Sequence, residues 1–407
     1  MSSPVTAANP PRILVFSEGV ISTTHGTGAI FLRNFARYPA DRLANAFIGS
    51  GEQSGIARSI DLNAVRWPQT VRQQLAALPI RLANRIGAGG HRPLPVDRRA
   101  VGRALGAGAF PPELIYAICW SAEGLAMLDA VVANYPGVPL LVHFHDFWPS
   151  ASASFEPLLQ RLAPRITAVW AVSPSIVRFV EQCTGLHCSF EPQFHIELPA
   201  VQKQEHRLFD ATFRAIVFGN FWSNELLSDV KAVWQFCRER LPSLGPIAWY
   251  CHPDSVAKIR AAGTAPEPEV QPMGFVRGDA IWSMLAEADL ALVPFSRGAE
   301  PASDYERYSM PSRLTELAAA GLPVFGLTGQ STPLAEYLTE KDIGPFAPAS
   351  DTAAAGQALH DLILDPVRRA DLGRRARTLA EKEYPLDRFQ DELYARLAAL
   401  ARSGVKA

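Results

Sequence analysis

The stretch SMPSRLTELAAAGLPVFG, residues 309–326, contains the signals that begin and end a short helix directly before a buried strand. Ser309 or Ser312 is expected to cap the free backbone N–H groups at the start of this helix. Gly321 followed by Pro323 is a strong signal for its end. The pattern predicts a helix of about three turns.

The flanking segments ADLALVPFS (288–296) and LPVFGL (322–327) are continuous apolar runs, which is typical of buried parallel strands. The helix between them begins at the carboxyl end of the sheet, where free N–H groups attract anions. Arg313 offers a forked cation for a phosphate, and Glu316, one turn deeper, is placed to accept hydrogen bonds from ribose hydroxyls. A nucleoside diphosphate fits both groups. The alternative interpretation is an ordinary surface ion pair between residues three apart.

Short apolar runs alternate with helical patterns along the whole chain, which predicts α/β units around parallel sheets. The predicted strands are RILVFS (12–17), NAFIGS (45–50), ELIYAI (113–118), PLLVHFH (139–145), AVWAVS (168–173), RAIVFG (214–219), PIAWYC (246–251), VQPMGFV (270–276), DLALVPF (289–295) and PVFGL (323–327). A chain of 407 residues is too long for one ordinary core. The sequence therefore predicts two doubly wound, Rossmann-like parallel-sheet domains.

The domain limits follow from these runs and from the polar stretches between them. A flexible tail is expected at 1–11, an N-terminal domain at 12–205 and a C-terminal domain at 206–385. A less regular basic insertion occupies about 53–111 of the first domain. A proline break separates the last helical segment, 386–407, from the helix before it.

Overall composition excludes several classes of protein. The 39 basic and 40 acidic residues give no charge excess that would indicate nucleic-acid binding. The five cysteines form no CxxC pair, which argues against a disulfide framework or a structural zinc site. The N-terminus MSSPVTAANPPRILVFSEG lacks the basic and apolar regions of a signal peptide, and no apolar run approaches the ~20 residues that cross a bilayer. A cytoplasmic protein is expected.

The segment HFHDFWPS (143–150) follows a buried strand, so its polar residues fall at the carboxyl edge of the first sheet. His145 is a candidate to donate a hydrogen bond to a sugar oxygen or a phosphate. Asp146 is a candidate to orient His145 or to accept the proton of an acceptor hydroxyl. His143 and His145 point the same way, as metal ligands do, but no third ligand is evident, so no metal is expected. Ordinary buried histidines are the alternative.

Glycines follow the first strand of each predicted domain, where they let a backbone approach a ligand closely. Gly26 and Gly28 directly precede an amphipathic helix, although the spacing is not GxGxxG and no P-loop motif occurs. Gly219 and Asn220 end the first strand of the second domain, which suits the approach of a phosphate. At Gly26 and Gly28 the alternative is a tight structural turn.

The segment 71–105 carries seven arginines against one acid, Asp97. Leucine and isoleucine recur beside these arginines at helical spacing. This pattern fits contact with an anionic membrane surface or an anionic acceptor, and a solvated insertion is the alternative.

These features together resemble the GT-B glycosyltransferases, and within them the retaining family called glycosyltransferase family 4, or glycosyl transferases group 1. The similarity covers most of the chain, including the glycine loop after the first strand and the edge VHFHDFWP (142–149). It is most specific in 309–326, which looks like the donor-site helix of the family. The resemblance implies two Rossmann-like domains that face each other across a cleft, with a terminal helix that returns to the N-terminal domain.

The resemblance also implies roles for individual residues. Glu316 matches the second glutamate of the family's paired-glutamate motif, which holds the donor ribose, and Arg313 matches the basic residue of one subgroup. With the residues argued above, the predicted donor-binding residues are Gly26, Gly28, Gly219, Asn220, Ser309, Ser312, Arg313 and Glu316, and the predicted catalytic residues at the acceptor side are His145 and Asp146.

The sequence departs from the family pattern in two places. The first glutamate of the pair should lie eight positions before Glu316, where this chain has Tyr308, and Glu306 is out of register. The basic residues that usually clamp the diphosphate are not evident after the first strand of the second domain, where Lys231 comes late.

The expected activity is hexosyl transfer from a nucleoside diphosphate sugar to an acceptor hydroxyl, with retention, in polysaccharide or glycolipid synthesis. A saccharide or lipid-linked saccharide acceptor, peripheral contact with the inner membrane face, and no cofactor or metal are expected. A sugar-nucleotide epimerase and a catalytically silent sugar-nucleotide binding protein are the alternatives.

Overall fold

The computed structural model describes residues 10–22, 26–49, 56, 58–66, 78, 80–81, 93–106, 110–199, 208–220, 223–261, 269–276 and 278–403. The chain divides into two compact units, and it passes from the first to the second after Gln193 and back again after Leu386. Each unit is built on one parallel sheet, so the predicted α/β architecture with two doubly wound domains is confirmed.

The sheet of the first unit has seven strands. They are β1 (Ile13–Ser17), β2 (Leu43–Phe47), β3 (Ser59–Asp61), β4 (Leu114–Ile118), β5 (Leu140–Phe144), β6 (Ala168–Ala171) and β7 (Cys188–Phe190). Their order is β3-β2-β1-β4-β5-β6-β7, and neighbouring strands pair in parallel. Every residue of β1, β2, β4 and β5 is buried, which explains why these strands are continuous apolar runs in the sequence.

The helices of the first unit connect these strands. They are α1 (Gly26–Asn34), α2 (Asn63–Arg66), α3 (Arg98–Leu105), α4 (Ala122–Val132), α5 (Phe155–Leu162) and α6 (Pro174–Thr184), with short 3₁₀ helices at Ala40–Arg42, Pro149–Ala151 and Ala163–Arg165. Side chains cap three of them: Asp97 accepts from the backbone of α3, Ser121 from that of α4 and Ser173 from that of α6.

The second unit contains a six-stranded parallel sheet. Its strands are β8 (Ala215–Phe218), β9 (Ile247–Tyr250), β10 (Val270–Gly274), β11 (Leu290–Pro294), β12 (Val324–Leu327) and β13 (Phe346–Ala347), in the order β10-β9-β8-β11-β12-β13. Alternate residues of β8 enter different apolar clusters: Ala215 and Val217 pack with Trp234 and Trp249, while Ile216 packs with Leu317. This period of two places one cluster on each face of the sheet.

The remaining helices are α7 (Asn224–Arg240), α8 (Pro253–Ala261), α9 (Ala280–Glu287), α10 (Asp304–Tyr308), α11 (Leu314–Ala319), α12 (Pro333–Lys341), α13 (Thr352–Leu364), α14 (Pro366–Glu383) and α15 (Leu386–Arg402). From Asp387 onward α15 belongs to the first unit, where Gln390 donates to the Arg33 carbonyl at 2.8 Å and Tyr394 to the Asn34 carbonyl at 3.0 Å. None of the described helices has the length and hydropathy needed to span a bilayer.

All ten predicted strands are confirmed to within a few residues, and three short strands were missed. The missed strands β3, β7 and β13 have two or three residues each and lie at sheet edges. Such short, partly exposed segments carry neither the apolar run nor the alternation that identifies a strand.

The predicted helix start in 309–326 is wrong, whereas its end is confirmed. The helix α11 has six residues rather than about three turns, and neither serine caps it, because Arg313 occupies the N-cap position. Ser309 instead ends the preceding helix, donating its N–H to the Tyr305 carbonyl at 2.9 Å. Gly321 has a φ of 70° and closes α11, as only a glycine does without strain.

Candidate functional site

The carboxyl edge of the second sheet brings Gly219 next to Arg313. Strands β8 and β11 are hydrogen-bonded neighbours, so the segments that follow them lie side by side. A Cβ atom added at Gly219 would lie 3.6 Å from Arg313 Cγ, in ordinary van der Waals contact. Gly219 has a φ of 126°, a conformation that side chains disfavour. The glycine is therefore required here by the turn at the end of β8.

Arg313 is held between an aromatic ring and a carboxylate. Its guanidinium lies over the Phe218 ring, 4.6 Å from the centroid. Its Nη1 lies 3.6 Å from Glu316 Oε1, the ion pair between residues three apart that the sequence left open as the alternative. The Arg313 side chain keeps 34% of its surface exposed and that of Glu316 only 10%. The arrangement presents an oriented, partly exposed cation beside a nearly buried carboxylate.

The side chains of Ser309 and Ser312 do not cap α11, because Arg313 occupies its N-cap position. Ser309 is buried, with 2% of its surface exposed, and Ser312 is half-buried. Ser312 contributes its backbone carbonyl, which accepts from the Thr315 N–H at 3.2 Å. Because α11 has only six residues, the charge of this edge comes mainly from the Arg313 guanidinium rather than from a helix dipole.

Asn220 has a structural task at the same edge. Its Oδ1 accepts hydrogen bonds from the His252 N–H at 2.9 Å and from Ser255 Oγ at 3.4 Å. It thereby ties the end of β8 to the segment after β9. The side chain of Phe275, which follows β10, lies edge-to-face with His252 at 6.2 Å and is 37% exposed.

The two departures from the family pattern are visible in the structure. Tyr308 is buried, with 9% of its surface exposed, and Glu306 Oε2 accepts from the Ala302 N–H at 2.6 Å. Glu306 therefore caps α10 and does not replace the missing glutamate. Lys231 lies within α7, about two turns after its first residue.

The carboxyl edge of the first sheet carries a buried imidazole pair. His143 and His145 have 1% and 8% of their surfaces exposed, and their ring centroids are 4.3 Å apart. His145 Nε2 lies 3.2 Å from His143 Nδ1, and Tyr116 OH lies 2.5 Å from the same Nδ1. The structure therefore brings the two predicted histidines together, whereas Asp146 is half-buried just beyond β5.

Burial lowers the pKa of both histidines, that of His145 to about 3 and that of His143 well below its ordinary value. The His145 imidazole and the Arg396 guanidinium lower the pKa of His143 further, against a hydrogen bond to the Glu191 backbone that raises it. Both rings are therefore neutral at physiological pH, and protonating either in the folded unit is costly.

The His145→Asn variant is expected to weaken the acid sensitivity of the protein. The unfolded chain binds a proton at each histidine below about pH 6.5, whereas folded His145 resists protonation down to about pH 3. Stability is therefore lost as pH falls through this window, by about 1.4 kcal/mol per pH unit for one such histidine. We expect the slope of unfolding free energy against pH between about 6.5 and 5 to fall by this amount in His145→Asn, measured by denaturant titration.

The matched control is His187→Asn, because the His187 side chain is 86% exposed. This variant should change the slope less than His145→Asn does, because only His145 is buried. Equal slopes in His145→Asn and the unmodified protein would contradict the burial of a neutral imidazole at position 145.

Gly28 permits close packing of α1 against the segment that precedes it. A Cβ atom there would lie 2.5 Å from Ser22 N and 2.8 Å from Val20 O, closer than real contacts allow. Close packing of the helix therefore explains Gly28, rather than the tight turn that the sequence left open as the alternative. Gly26 is the first residue of α1, so both glycines lie inside the helix rather than before it.

Glu18, which directly follows β1, was missed from the sequence. Its carboxylate accepts hydrogen bonds from the backbone of Trp120 at 2.8 Å and of Ser121 at 3.0 Å, and from the Ser121 hydroxyl. Burial raises the pKa of Glu18. Its partners lie more than 100 positions away, so no local signal predicted the contact.

No protein-family model and no curated protein sequence matches this chain. Solved structures do. HepE of Anabaena in complex with UDP and glucose matches with a TM-score of 0.59 and 14% identity, over 95% of this chain and all of HepE. The α,α-trehalose 6-phosphate synthase of Burkholderia multivorans matches with a TM-score of 0.62 and 10% identity, over 97% of this chain and 98% of the synthase.

The chain has the GT-B fold. At these identities the likeness concerns the arrangement of strands and helices. Open α/β sheets hold ligands at the carboxyl ends of their strands. Arg313 lies at this edge of the second sheet, and His145 lies at this edge of the first.

Proposed function

We propose that this protein is a glycosyltransferase that moves a hexose from a nucleoside diphosphate sugar to an acceptor hydroxyl, with retention. The observation that carries the proposal is the Arg313 guanidinium, stacked on Phe218 beside Gly219 and 3.6 Å from Glu316. A planar cation suits a diphosphate, and a nearly buried carboxylate suits the hydroxyls of a ribose. The fold supports the proposal, since HepE of Anabaena was solved with UDP and glucose on the same fold.

In this proposal Arg313 stabilises the charge that develops on the departing diphosphate, the main task of a site that transfers a glycosyl group. Gly219 has no side chain, so the diphosphate can approach the backbone at the end of β8. His145 and Asp146 position hydroxyl groups at the edge of the first sheet. The site uses no metal, because Arg313 and backbone N–H groups neutralise the leaving group. Membership of glycosyltransferase family 4 is part of the same proposal.

A nucleotide panel tests the donor site. We expect UDP or another nucleoside diphosphate to raise the melting temperature of the protein, since a ligand that binds only the folded state stabilises it. The Glu316→Ala variant should lose most of this shift because the ribose loses its acceptor. The control is Glu287→Ala, which removes an exposed carboxylate paired with Arg214 at the start of β8, the opposite edge of the sheet. No shift with any nucleotide, or equal losses in both variants, would contradict the proposed site.

A catalytically silent nucleotide-binding protein is the second candidate. The observation that favours it is Tyr308, buried where the family places its first glutamate. Both candidates predict that a nucleotide raises the melting temperature, but only the transferase predicts turnover of a sugar nucleotide. Release of UDP from UDP-glucose on addition of hexoside acceptors supports the transferase, and a nucleotide shift without turnover across a broad acceptor panel supports the silent protein.

We propose further that the acceptor is a lipid-linked saccharide of polysaccharide or glycolipid synthesis, met in the cytoplasm at the inner membrane face. The support comes from the basic segment 71–105, of which only residues 78, 80–81 and 93–105 lie within the described chain. Within α3, Arg99 and Arg103 are exposed, while Arg98 pairs with Asp129 at 2.8 Å.

Vesicle flotation tests the membrane contact. We expect the protein to float with vesicles that contain phosphatidylglycerol and not with phosphatidylcholine alone. Replacing Arg99 and Arg103 by serine should weaken this binding by about thirtyfold, at about 1 kcal/mol for each charge. The matched control replaces Lys258 and Arg260, two exposed cations of α8, by serine. Equal binding to both vesicle types would contradict an electrostatic membrane contact.

A further inference from the structure

Two tryptophans lie side by side at the carboxyl edge of the first sheet. Trp120 follows β4 and Trp148 follows β5, and these two strands are hydrogen-bonded neighbours. The Trp148 N–H donates to the Trp120 carbonyl at 3.1 Å. The ring centroids are 6.1 Å apart and the ring planes are inclined by 76°. The two side chains therefore form a corner of aromatic rings, called the indole pair below.

The segment after β1 holds Trp120 in place. Glu18 Oε2 accepts from the Trp120 N–H at 2.8 Å. A Cβ atom added at Gly19 would lie 2.6 Å from Trp120 Cη2, so the outer end of the indole occupies the space that a side chain would fill. A ring that is fixed before a ligand arrives loses little conformational freedom when it binds one.

The indole pair differs from the core tryptophans in its hydrogen bonds. Trp234 and Trp249 are buried, and each donates its Nε1–H to a backbone carbonyl, at 3.0 Å and 2.8 Å. The indole N–H groups of Trp120 and Trp148 have no acceptor among the residues that the structure describes, and both side chains are half-buried. Each member of the pair thus offers an aromatic surface together with a hydrogen-bond donor.

A pyranose ring matches both properties of the indole pair. Its C–H bonds carry partial positive charge and favour the negative face of an indole, while its hydroxyl oxygens accept from N–H donors. A flat nucleotide base is held best between parallel planes, which two rings inclined by 76° do not provide. The alkyl chain of a lipid offers no acceptor, so it would leave both N–H groups without a hydrogen bond.

We propose that the indole pair binds the pyranose ring of a saccharide, stacking against its C–H surface and donating indole N–H groups to its hydroxyls. The identification of this saccharide with the acceptor rests on the proposed glycosyltransferase function. The protein then recognises its acceptor by the ring of a hexopyranoside, and an acyclic polyol that carries the same hydroxyls is a poor substitute.

The binding is measured on the full chain labelled with ¹⁵N-tryptophan, without nucleotide, by titration with methyl glucoside, methyl galactoside and the acyclic polyol sorbitol. The indole N–H signals of Trp120 and Trp148, assigned by their loss in the two Trp→Phe variants, should shift with a hexoside and not with sorbitol. The signal of Trp234, assigned in the same way, should stay in place. Unmoved signals of the pair with both hexosides, or equal shifts with sorbitol, would overturn the proposal. A shift with farnesyl phosphate alone would also overturn it, because the pair would then bind a lipid chain.

Substitutions at Trp148 separate the ring from its N–H group. Trp148→Phe keeps an aromatic face and should weaken hexoside binding about fivefold, the usual effect of one lost hydrogen bond. Trp148→Leu removes the face as well and should weaken the binding further. Unchanged affinity in Trp148→Leu, with an unchanged melting temperature, would overturn the proposal.

Gly19→Ala tests the pair without removing either indole. The added Cβ displaces the outer end of Trp120, so hexoside binding should weaken although both tryptophans remain. The matched control is Gly245→Ala in the second unit, where an added Cβ meets nothing within 4 Å. Equal affinities in these two variants would contradict a site that depends on the position of Trp120.

Transfer kinetics test the identification with the acceptor. Trp148→Phe should raise KM for a hexoside acceptor about fivefold and leave the affinity for UDP unchanged. A raised Kd for UDP, with KM for the hexoside unchanged, would overturn the identification. The hexoside titration needs neither nucleotide nor turnover, so the two proposals fail separately. Hexoside shifts without nucleotide binding would contradict the transferase alone, and transfer to a hexoside with unmoved indole signals would contradict the indole pair alone.

Discussion

The Arg313→Met variant is expected to lower kcat/KM for the sugar-nucleotide donor by about a hundredfold, the usual loss when one preorganised donor to a developing negative charge is removed. Methionine keeps the apolar contact with Phe218 and removes the guanidinium that lies 4.6 Å from its ring. The measurement is steady-state release of UDP from UDP-glucose, together with the affinity for UDP. The kcat/KM of Arg313→Lys should lie between the values of the unmodified protein and of Arg313→Met, since an ammonium is a point charge and does not bind a phosphate through two parallel bonds.

The division of this loss between kcat and KM identifies the step that Arg313 serves. A contact that is stronger with the departing diphosphate than with the intact donor lowers kcat, while a contact equal in both raises KM alone. We expect the larger change in kcat, because the charge on the diphosphate grows as the bond to the sugar breaks. A loss confined to KM would make Arg313 an ordinary binding residue.

Arg240→Met is the matched control for Arg313→Met. Arg240 also stacks on an aromatic ring of the second unit, 3.4 Å from the centroid of Phe236, but it is the last residue of α7 and lies far from the carboxyl ends of the strands. Its replacement should cost a similar small amount of stability and no activity. Equal activity losses in the two variants would show that the effect comes from a weakened fold and not from the site.

The sequence predicted the strands and the end of α11 because these are local properties. A continuous apolar run needs only burial on both faces of a sheet, and Gly321 needs only a left-handed turn, which its φ of 70° confirms. The start of α11 was predicted wrongly because a stronger signal for a helix start lies just before it in the sequence. Ser303 caps α10 by accepting from the Glu306 N–H, and Glu306 accepts from the Ala302 N–H just before the cap, so α10 starts there and Ser309 becomes its end.

The imidazole pair shows what could not be predicted from local sequence. The alternation of residues on β5 placed His143 and His145 at one edge and pointed them the same way, which the structure confirms. The partners that orient them come from distant parts of the chain: Gln193 lies 50 positions from His143, and Asn34 lies 159 positions from Gln193. Only the packed unit brings these groups together, so the sequence could name the histidines but not their hydrogen-bond partners.

The Arg369→Met variant is expected to destabilise the second unit by about 3 kcal/mol, the cost of removing a charged donor that two buried carbonyls share. Arg369 is completely buried between α13 and α14. Its Nη1 donates to the Leu362 carbonyl at 3.0 Å and to the Ile363 carbonyl, which lie in the last turn of α13. The melting temperature should fall by about 6–12 °C, at about 2–4 °C per kcal/mol for a unit of this size.

The matched control is Arg368→Met, since the neighbouring Arg368 is exposed. Thermal unfolding of both variants, followed by calorimetry, compares the loss of the buried and of the exposed guanidinium at adjacent positions. We expect Arg368→Met to melt within about 2 °C of the unmodified protein, because surface substitutions usually change stability by less than about 0.5 kcal/mol.

At Arg369 the desolvation of the cation lowers the stability of the folded unit, and its hydrogen bonds to main-chain carbonyls raise it. Burial lowers the pKa of this guanidinium, since removing a charge from water is costly, and replacing a buried ion pair by apolar residues of the same volume is often neutral or stabilising. That compensation requires both partners to be replaced. Here the hydrogen-bond partners are main-chain carbonyls, which remain buried in every variant and lose their charged donor when the guanidinium is removed, while the Leu362 carbonyl keeps the Asp365 N–H at 3.3 Å. We therefore expect Arg369→Met to destabilise the unit although methionine is apolar, and an unchanged melting temperature would show that desolvation of the cation outweighs its two hydrogen bonds.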